Sequence, residues 1–394
     1  MSETAAARPR YDVAIIGGAI MGSSTAYFLK QLEPALEVCV IEPDPGYELC
    51  STLRASGGAR RLFSCPENIE MSNFSIGFIK DFPAAMKVGE REAPIDWVEG
   101  GYLFIVPPAG MPMLEANHRI QCEHGCEVEL LDPGQLQARF PAMHVADLGG
   151  GVHSPKDGWC DPHGFLQGFR RKAIALGVEY LTDRVVGLEH GRNAVTTARL
   201  ESGASIQAQA FVNAAGAWSA QICAMLQMPL PIYPLRRFEH YFTAGGPIER
   251  LPLVKDLDRL AFRSEGAGFS GGLVDGNAQR GFNFEVDHDY FERVVWPAVA
   301  HRFPVFEAAR CHRTWSGLYE QCELDGNPII GASSKLPNFY LVAGFSGHGL
   351  MHAPAAGRGI AELIVHREFR TIDLGRLGYQ RVERNAPYAE RGIL

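Results

Sequence analysis

The sequence predicts an α/β fold in which a domain of parallel strands and helices is interrupted twice by a second domain with a mixed or antiparallel sheet. Three observations point there. Residues 12–42 read as a strand, a glycine-rich turn, a helix and a second strand. Residues 234–284 alternate apolar and polar side chains among many glycines, as antiparallel strands do. A last strand, 339–342, runs into a second glycine-rich turn and a long helix from about 353 to 365, which returns the chain to the first domain. The expected division puts 1–86, 146–230 and 311–394 in the first domain and 87–145 and 231–310 in the second.

The first unit carries the most chemistry. The apolar run 12–16 is of strand length and ends in Gly17-Gly18-Ala19-Ile20-Met21-Gly22. Gly17 allows a tight turn, the small Ala19 lets a pyrophosphate approach the backbone, and Gly22 lets the helix pack closely on the strand. A helix-forming stretch follows at 23–32, and its N-terminus offers free N–H groups and a positive dipole end to an anion. The second strand closes on Glu42, twenty residues after Gly22, an acceptor for ribose hydroxyls. A GxGxxG motif standing alone is weak, and here its middle glycine is alanine. The context of strand, turn, helix, strand and acid favours a dinucleotide site over an ordinary βαβ turn.

The rhythm breaks after this unit. A strand-like 101–106, Pro107-Pro108 and a polar helical stretch follow. Residues 165–176 read as an amphipathic helix and 178–181 as a short strand. Residues 185–188, 196–200 and 206–212 read as a small meander, and 293–303 as a helix. The strand through Val212 ends in small residues, Ala214-Ala215-Gly216-Ala217, before Trp218, where a backbone can pass close to a ligand. Gly344, Gly347 and Gly349 form a second backbone cradle at a helix start. The alternative for that loop is a plain glycine-rich cap.

Composition sets limits. A chain of 394 residues can bury a large core. A net charge of −8 argues against a nucleic-acid surface. No stretch approaches a membrane span, and MSETAAARPR lacks the apolar region of a secretory signal. Nine scattered cysteines suggest reduced thiols and a cytoplasmic location. Cys122 and Cys126 near His118 and His124 match no standard zinc spacing, so no metal is expected.

Together, GGAIMGSS at 17–24 with Glu42, VNAAGAWS at 212–219 and AGFSGHGLMHAPAAG at 343–357 resemble the D-amino-acid-oxidase-like flavoproteins. The sarcosine oxidase, dimethylglycine dehydrogenase and glycine oxidase branch is the most similar. Ser51-Thr52 and the stretch ASGGAR at 55–60 resemble that branch's loop over the flavin ring. The resemblance implies an FAD-binding Rossmann-like domain of the glutathione-reductase type, with a substrate domain covering the flavin. It also implies oxidation of a C–N bond by hydride transfer to flavin N5. The residues it places around the cofactor are Gly17, Ala19, Ile20, Met21, Gly22, Glu42, Ser51, Thr52, Ser56, Gly57, Val185, Ala215, Gly216, Trp218, Gly317, Gly344, Ser346, Gly347, Gly349 and Leu350.

By the same resemblance Arg60 sits above the flavin, and His348, between two glycines, faces flavin or substrate. The alternatives are a surface ion pair for Arg60 and Arg61 and a helix cap for His348. Substrate contacts are expected from Arg61, His240, Tyr241, Arg263 and Tyr319, with Arg236, Arg237, Glu239 and Trp315 as further candidates.

Two departures matter. Gly317 stands where monomeric sarcosine oxidases carry the flavin-linked cysteine, and residues 50–64 lack the histidine that dimethylglycine dehydrogenases use. Non-covalent FAD is therefore expected. Ser270 stands where the family has a lysine that assists oxygen reduction, and 256–334 contains no lysine, so slow reaction with oxygen is expected. The partners expected are a small amine or amino acid as substrate and O2, a quinone or an electron-transfer protein as acceptor, with no nucleic acid and no membrane span. The alternatives on the same fold are 2-hydroxy-acid oxidation and a non-enzymatic flavoprotein that assists assembly.

Overall fold

The computed structural model describes residues 10–257, 260–274 and 278–391. The first strand, Arg10–Ile16, pairs in parallel with Val38–Ile41 on one side and with Ser205–Asn213 on the other. Glu179–Leu181 and Phe339–Ala343 extend the parallel sheet at either end, and Ile329–Ala332 adds an antiparallel edge. Val185–His190 and Val195–Leu200 form the expected meander, which joins this sheet through Ser205–Asn213. The central strands are buried on both faces, as their continuous apolar runs require.

Helices cover the sheet. Ile20–Leu32 starts three residues earlier than expected, directly after the glycine turn. Gly349–His366 likewise starts at Gly349 rather than near 353. The two helices touch closely. A Cβ on Gly357 would run into Ser24 Oγ and lie 2.8 Å from the Thr25 backbone N, and the Ser24 hydroxyl donates to Ala353 O at 2.9 Å. Beside them runs Pro66–Ala85, a 20-residue helix that hydrophobic periodicity did not reveal. Its residues are buried on more than one face, against Gly349–His366 and against an aromatic cluster that includes Phe28, Phe78, Phe82 and Phe169.

The second sheet has eight strands, in the order Arg310–Cys322, Ile232–Thr243, Gly268–Leu273, Leu260–Glu265, Leu253–Asp256, Tyr102–Val106, Gly150–Ser154, Glu129–Leu131. Gly150–Ser154 and Arg310–Cys322 thus belong to this sheet, although the expected boundaries at 146 and 311 assign them to the first domain. Arg310–Cys322 pairs with Ile232–Thr243 along nearly its whole length, which ties it to this sheet. Its far end reaches the first domain, where Cys322 packs in the core under Ile329–Ala332. One face of the sheet is hydrophobic, built on Phe242, Phe262, Phe269, Phe291, Phe303 and Phe306. No described helix is long and apolar enough to cross a membrane.

Gly357→Val places branched atoms where the two helices have no room. Overpacking of this kind costs about 1–3 kcal/mol. The thermal midpoint should fall accordingly. A variant with an unchanged midpoint would show that this contact does not seat the helices.

Candidate active site

Two helix starts point at one cleft. Neither Ile20–Leu32 nor Gly349–His366 has a side chain capping its N-terminus. Their first N–H groups are therefore free for a ligand, and both dipoles present positive ends. Ala19, Ile20 and Met21 line the cleft at one helix, and Gly347, Gly349 and Leu350 line it at the other. The cleft has a volume of about 390 Å³.

Its floor is built of close backbone contacts. Gly17 has φ +98°, and a Cβ there would lie 2.5 Å from Ala214 O. No other residue can sit there without moving the turn after the strand Ser205–Asn213, which carries Ala215, Gly216 and Trp218, all on the cleft wall. Glu42 lines the far end, with its carboxylate accepting from Gly18 N at 2.8 Å and Asp44 N at 2.9 Å. Burial raises its pKa, and these two amides work against the rise. Val185, Ser51, Thr52 and Ser56 complete the side walls. The Ser51 hydroxyl donates to Leu318 O at 2.6 Å, which ties this loop to the strand carrying Gly317 and Tyr319, also on the wall.

Four of the expected cofactor residues stand behind the lining. Gly22 packs under the turn, where a Cβ would overlap Gly17 O. Gly57 (φ +81°) backs onto Cys160. Gly344 donates its N–H to Glu320 at 3.0 Å, and Ser346 Oγ accepts from Cys322 N at 3.0 Å. The last two hold the second glycine turn in shape. Glu320 itself lines the cleft, and burial pushes its carboxyl up to about 7.

The second sheet roofs the cleft, and strand register shows which residues face it. Directly paired residues share a face. Glu239 pairs with Trp315, Arg237 with Gly317 and Leu235 with Tyr319. Tyr241 pairs with Ser270, Ser270 with Arg263, Ala261 with Lys255 and Lys255 with Phe104. One face therefore carries Tyr319, Arg237, Glu239, Ser270, Arg263, Lys255 and Phe104. Of these, Tyr319, Arg237, Glu239 and Ser270 line the cleft.

Several expected substrate residues lie elsewhere. His240 and Tyr241 are neighbours in one strand and point to opposite faces, so they do not share a pocket. His240 is fully buried on the hydrophobic side, bonded to Thr314 Oγ1 and stacked on Tyr290. Burial lowers its pKa to about 4. Tyr241 is on the roof face but away from the cleft, beside His312 and Gly268. Arg263 donates to Ser56 O at 2.8 Å, pairs with Glu265 and lies over Trp159, so it braces the wall from behind. Arg61 is taken up by buried Asp157 at 2.7 Å and by Asn73. Trp315 donates to Arg54 O.

Arg60 and His348 are buried just beyond the inner end. The Arg60 guanidinium donates to Leu62 O at 2.6 Å and lies between Phe63 and Phe104, 4.0 and 5.1 Å from the ring centroids. Among the described residues no carboxylate pairs with it directly. His348 turns away from the cleft, into a pocket with Phe63, Phe345 and His352. Burial, with His352, Arg60 and Lys255 nearby, holds its pKa well below the usual histidine range. It is neutral near pH 7 and supplies no positive charge. A cationic side chain nearby is Lys255. It stands one residue before the lysine-free stretch 256–334, and its Nζ is 5.8 Å from the Phe104 centroid, with Arg60 against the same ring. Register pairing was the missing signal, since it puts Lys255 on the roof face two residues from Leu253 in the cleft lining.

A family model described as FAD dependent oxidoreductase matches residues 12–363. The chain is a member of this family. It is 35% identical to FAD-dependent oxidoreductase domain-containing protein 1 of Xenopus laevis, over 98% of this chain and 85% of that one. Mouse mitochondrial sarcosine dehydrogenase is 26% identical over 90% of this chain and 40% of its own. Among solved structures, L-proline dehydrogenase from P. horikoshii has a TM-score of 0.86 at 26% identity, covering 97% of this chain and 100% of that one. Glycine oxidase from Geobacillus kaustophilus, at 21% identity, shares the fold with a TM-score of 0.81 over 94% of this chain and 98% of its own.

The cleft of this FAD-dependent oxidoreductase fits its cofactor. The first turn and uncapped helix suit a pyrophosphate, Glu42 a ribose, and the second uncapped helix start the polar edge of a flavin. The wall offers little for covalent attachment. Gly317 has no side chain, Cys322 is buried behind Gly344, and Cys311 lies outside the lining. The cleft thiol is Cys50, and burial pushes it up to about 11, so it stays protonated. Acid precipitation should release all the flavin into the supernatant. Colour left in the pellet would contradict this and direct peptide mapping to Cys50.

Proposed function

We propose that this protein oxidises the C–N bond of a small secondary or N-methyl amine or amino acid, with non-covalent FAD accepting the hydride. The observation that carries the reading is the roof of the cleft. Tyr319, Arg237, Glu239 and Ser270 put an aromatic ring, a cation and a carboxylate on one sheet face above the cofactor groove. A small zwitterion presents the matching pair of charges, and Leu253 and Ala261 offer apolar wall for its carbon skeleton. The names of sarcosine dehydrogenase and L-proline dehydrogenase among the relatives agree with a secondary amine. Nine free cysteines agree with a reducing, cytoplasm-like compartment.

In this reading Arg60 places a buried positive charge near the cofactor. It is 4% exposed, and its guanidinium is flat between two rings, a fit that an ammonium does not reproduce. Arg60→Lys should keep its FAD while turnover falls roughly ten-fold or more, as for a lost charge-assisted contact. Wild-type turnover would remove Arg60 from the chemistry, and loss of FAD would make it structural. The reading as a whole is tested by anaerobic bleaching against N-methyl amino acids, cyclic imino acids and 2-hydroxy acids. Amines should bleach the flavin and release an amine or imine product. Bleaching by hydroxy acids alone, or by nothing, would contradict it.

Slow reaction with oxygen was expected because no lysine was assigned to the site. Lys255 removes that ground, and we assign it the role of stabilising the anion formed when oxygen takes an electron. The reduced wild type should reoxidise promptly in air. Lys255→Met should reoxidise roughly ten-fold or more slowly, with its rate of reduction by substrate unchanged. Equal air rates in the two proteins would exclude Lys255.

A further inference from the structure

We propose that Glu239, held by Ser270, is the site that binds the substrate's ammonium group and takes its proton. This rests on the amine reading above and names the residue that would do the recognising. The geometry is specific. Glu239 lies on the roof face of the strand Ile232–Thr243 and lines the cleft. The Ser270 hydroxyl, from the neighbouring strand, donates to Oε1 at 2.8 Å. Among the described residues no donor is bonded to Oε2. The carboxylate is thus fixed by one oxygen and presents the other to a ligand.

The charged and titratable groups around it come from every strand of the roof nearby. Arg237 and Tyr241 share its own strand face. Ser270 and, one strand further, Arg263 face it from one side, with Glu265 paired to Arg263. Tyr319 and Arg313, the latter over Trp315, share the face from the other side, and Lys255 lies further along the roof. Arg263 is committed to Ser56 O and Glu265, so it does not neutralise Glu239 by direct contact. Burial pushes the Glu239 carboxyl up to about 7, with Ser270 and Arg263 opposing the rise. A carboxylate poised there can both hold a cation and accept a proton.

The step balances without any further reactant. One N–H bond of the bound ammonium breaks, the proton forms an O–H bond on Glu239 Oε2, and the electron pair stays on nitrogen. That pair is required for C–N oxidation, because nitrogen must share it with carbon as the hydride leaves. The carboxyl returns its proton to solvent before the next cycle.

The test uses the FAD-loaded protein and two probes, measured by calorimetry. Pyrrolidine is a cation without a carboxylate, and pyrrole-2-carboxylate is an anion without a basic nitrogen. Glu239→Gln should weaken pyrrolidine about ten-fold or more, as for a lost charged contact, and leave pyrrole-2-carboxylate within about two-fold. In the wild type, kcat/KM for amines should rise with pH through about 7, where Glu239 ionises. Glu239→Gln should flatten that limb. Ser270→Ala removes a donor that favours the carboxylate, so it should move the limb to higher pH. Unchanged pyrrolidine binding, equal loss of both probes, or an unmoved pH limb in both variants would overturn the proposal. If amines bleach wild type and Glu239→Gln alike, the proposal fails and the amine reading stands. If pyrrolidine binding depends on Glu239 but no amine bleaches the flavin, the ammonium site stands and the reaction reading fails.

Discussion

The structure depends on two helices that start, uncapped, at the same cleft. A helix start without a cap leaves several N–H groups unsatisfied, which is costly unless a ligand or water takes them. Here both starts can be satisfied by one elongated, anionic cofactor. The helices reach this arrangement because they pack backbone to backbone at Gly357 and Ser24. The turns before them use Gly17 and Gly347, both at positive φ, to reverse the chain at the cleft wall. Both turns are braced, by Ala214 of the first domain beneath Gly17 and by Glu320, on the second-sheet strand Arg310–Cys322, at Gly344.

The second sheet divides its labour by face. Its hydrophobic face packs on phenylalanines and fixes the plane of the sheet. Its other face presents the charges over the cleft. This explains how Arg60 and Lys255 can lie close together without a neutralising carboxylate in contact with Arg60. Phe63 and Phe104 pack against the Arg60 guanidinium, and the nearby histidine stays neutral. For Arg60, the proposed reading supplies a counter-charge in the reduced flavin.

What could be read in the sequence was local. A glycine turn between a strand and a helix needs only adjacent residues, so Gly17, Glu42 and Gly347 stood out. The roof was not legible in the same way, because a side chain's face depends on pairing register across strands distant in sequence. His240 and Lys255 show this: His240 faces away from the pocket its position suggests, and Lys255 reaches the roof face from just before the lysine-free stretch 256–334. Arg61 was misread because its partner, Asp157, lies 96 residues away. The helix Pro66–Ala85 was missed because it is buried on several faces and shows no single apolar stripe.

The most direct measurement is a crystal structure of the protein with FAD bound. The pyrophosphate should lie within hydrogen-bonding distance of the backbone N–H groups at Ala19 to Met21. The flavin ring should lie between the second helix start, at Gly347 to Leu350, and the roof face bearing Tyr319 and Glu239. A ring bound elsewhere, or phosphates held by side chains away from either helix start, would contradict this arrangement.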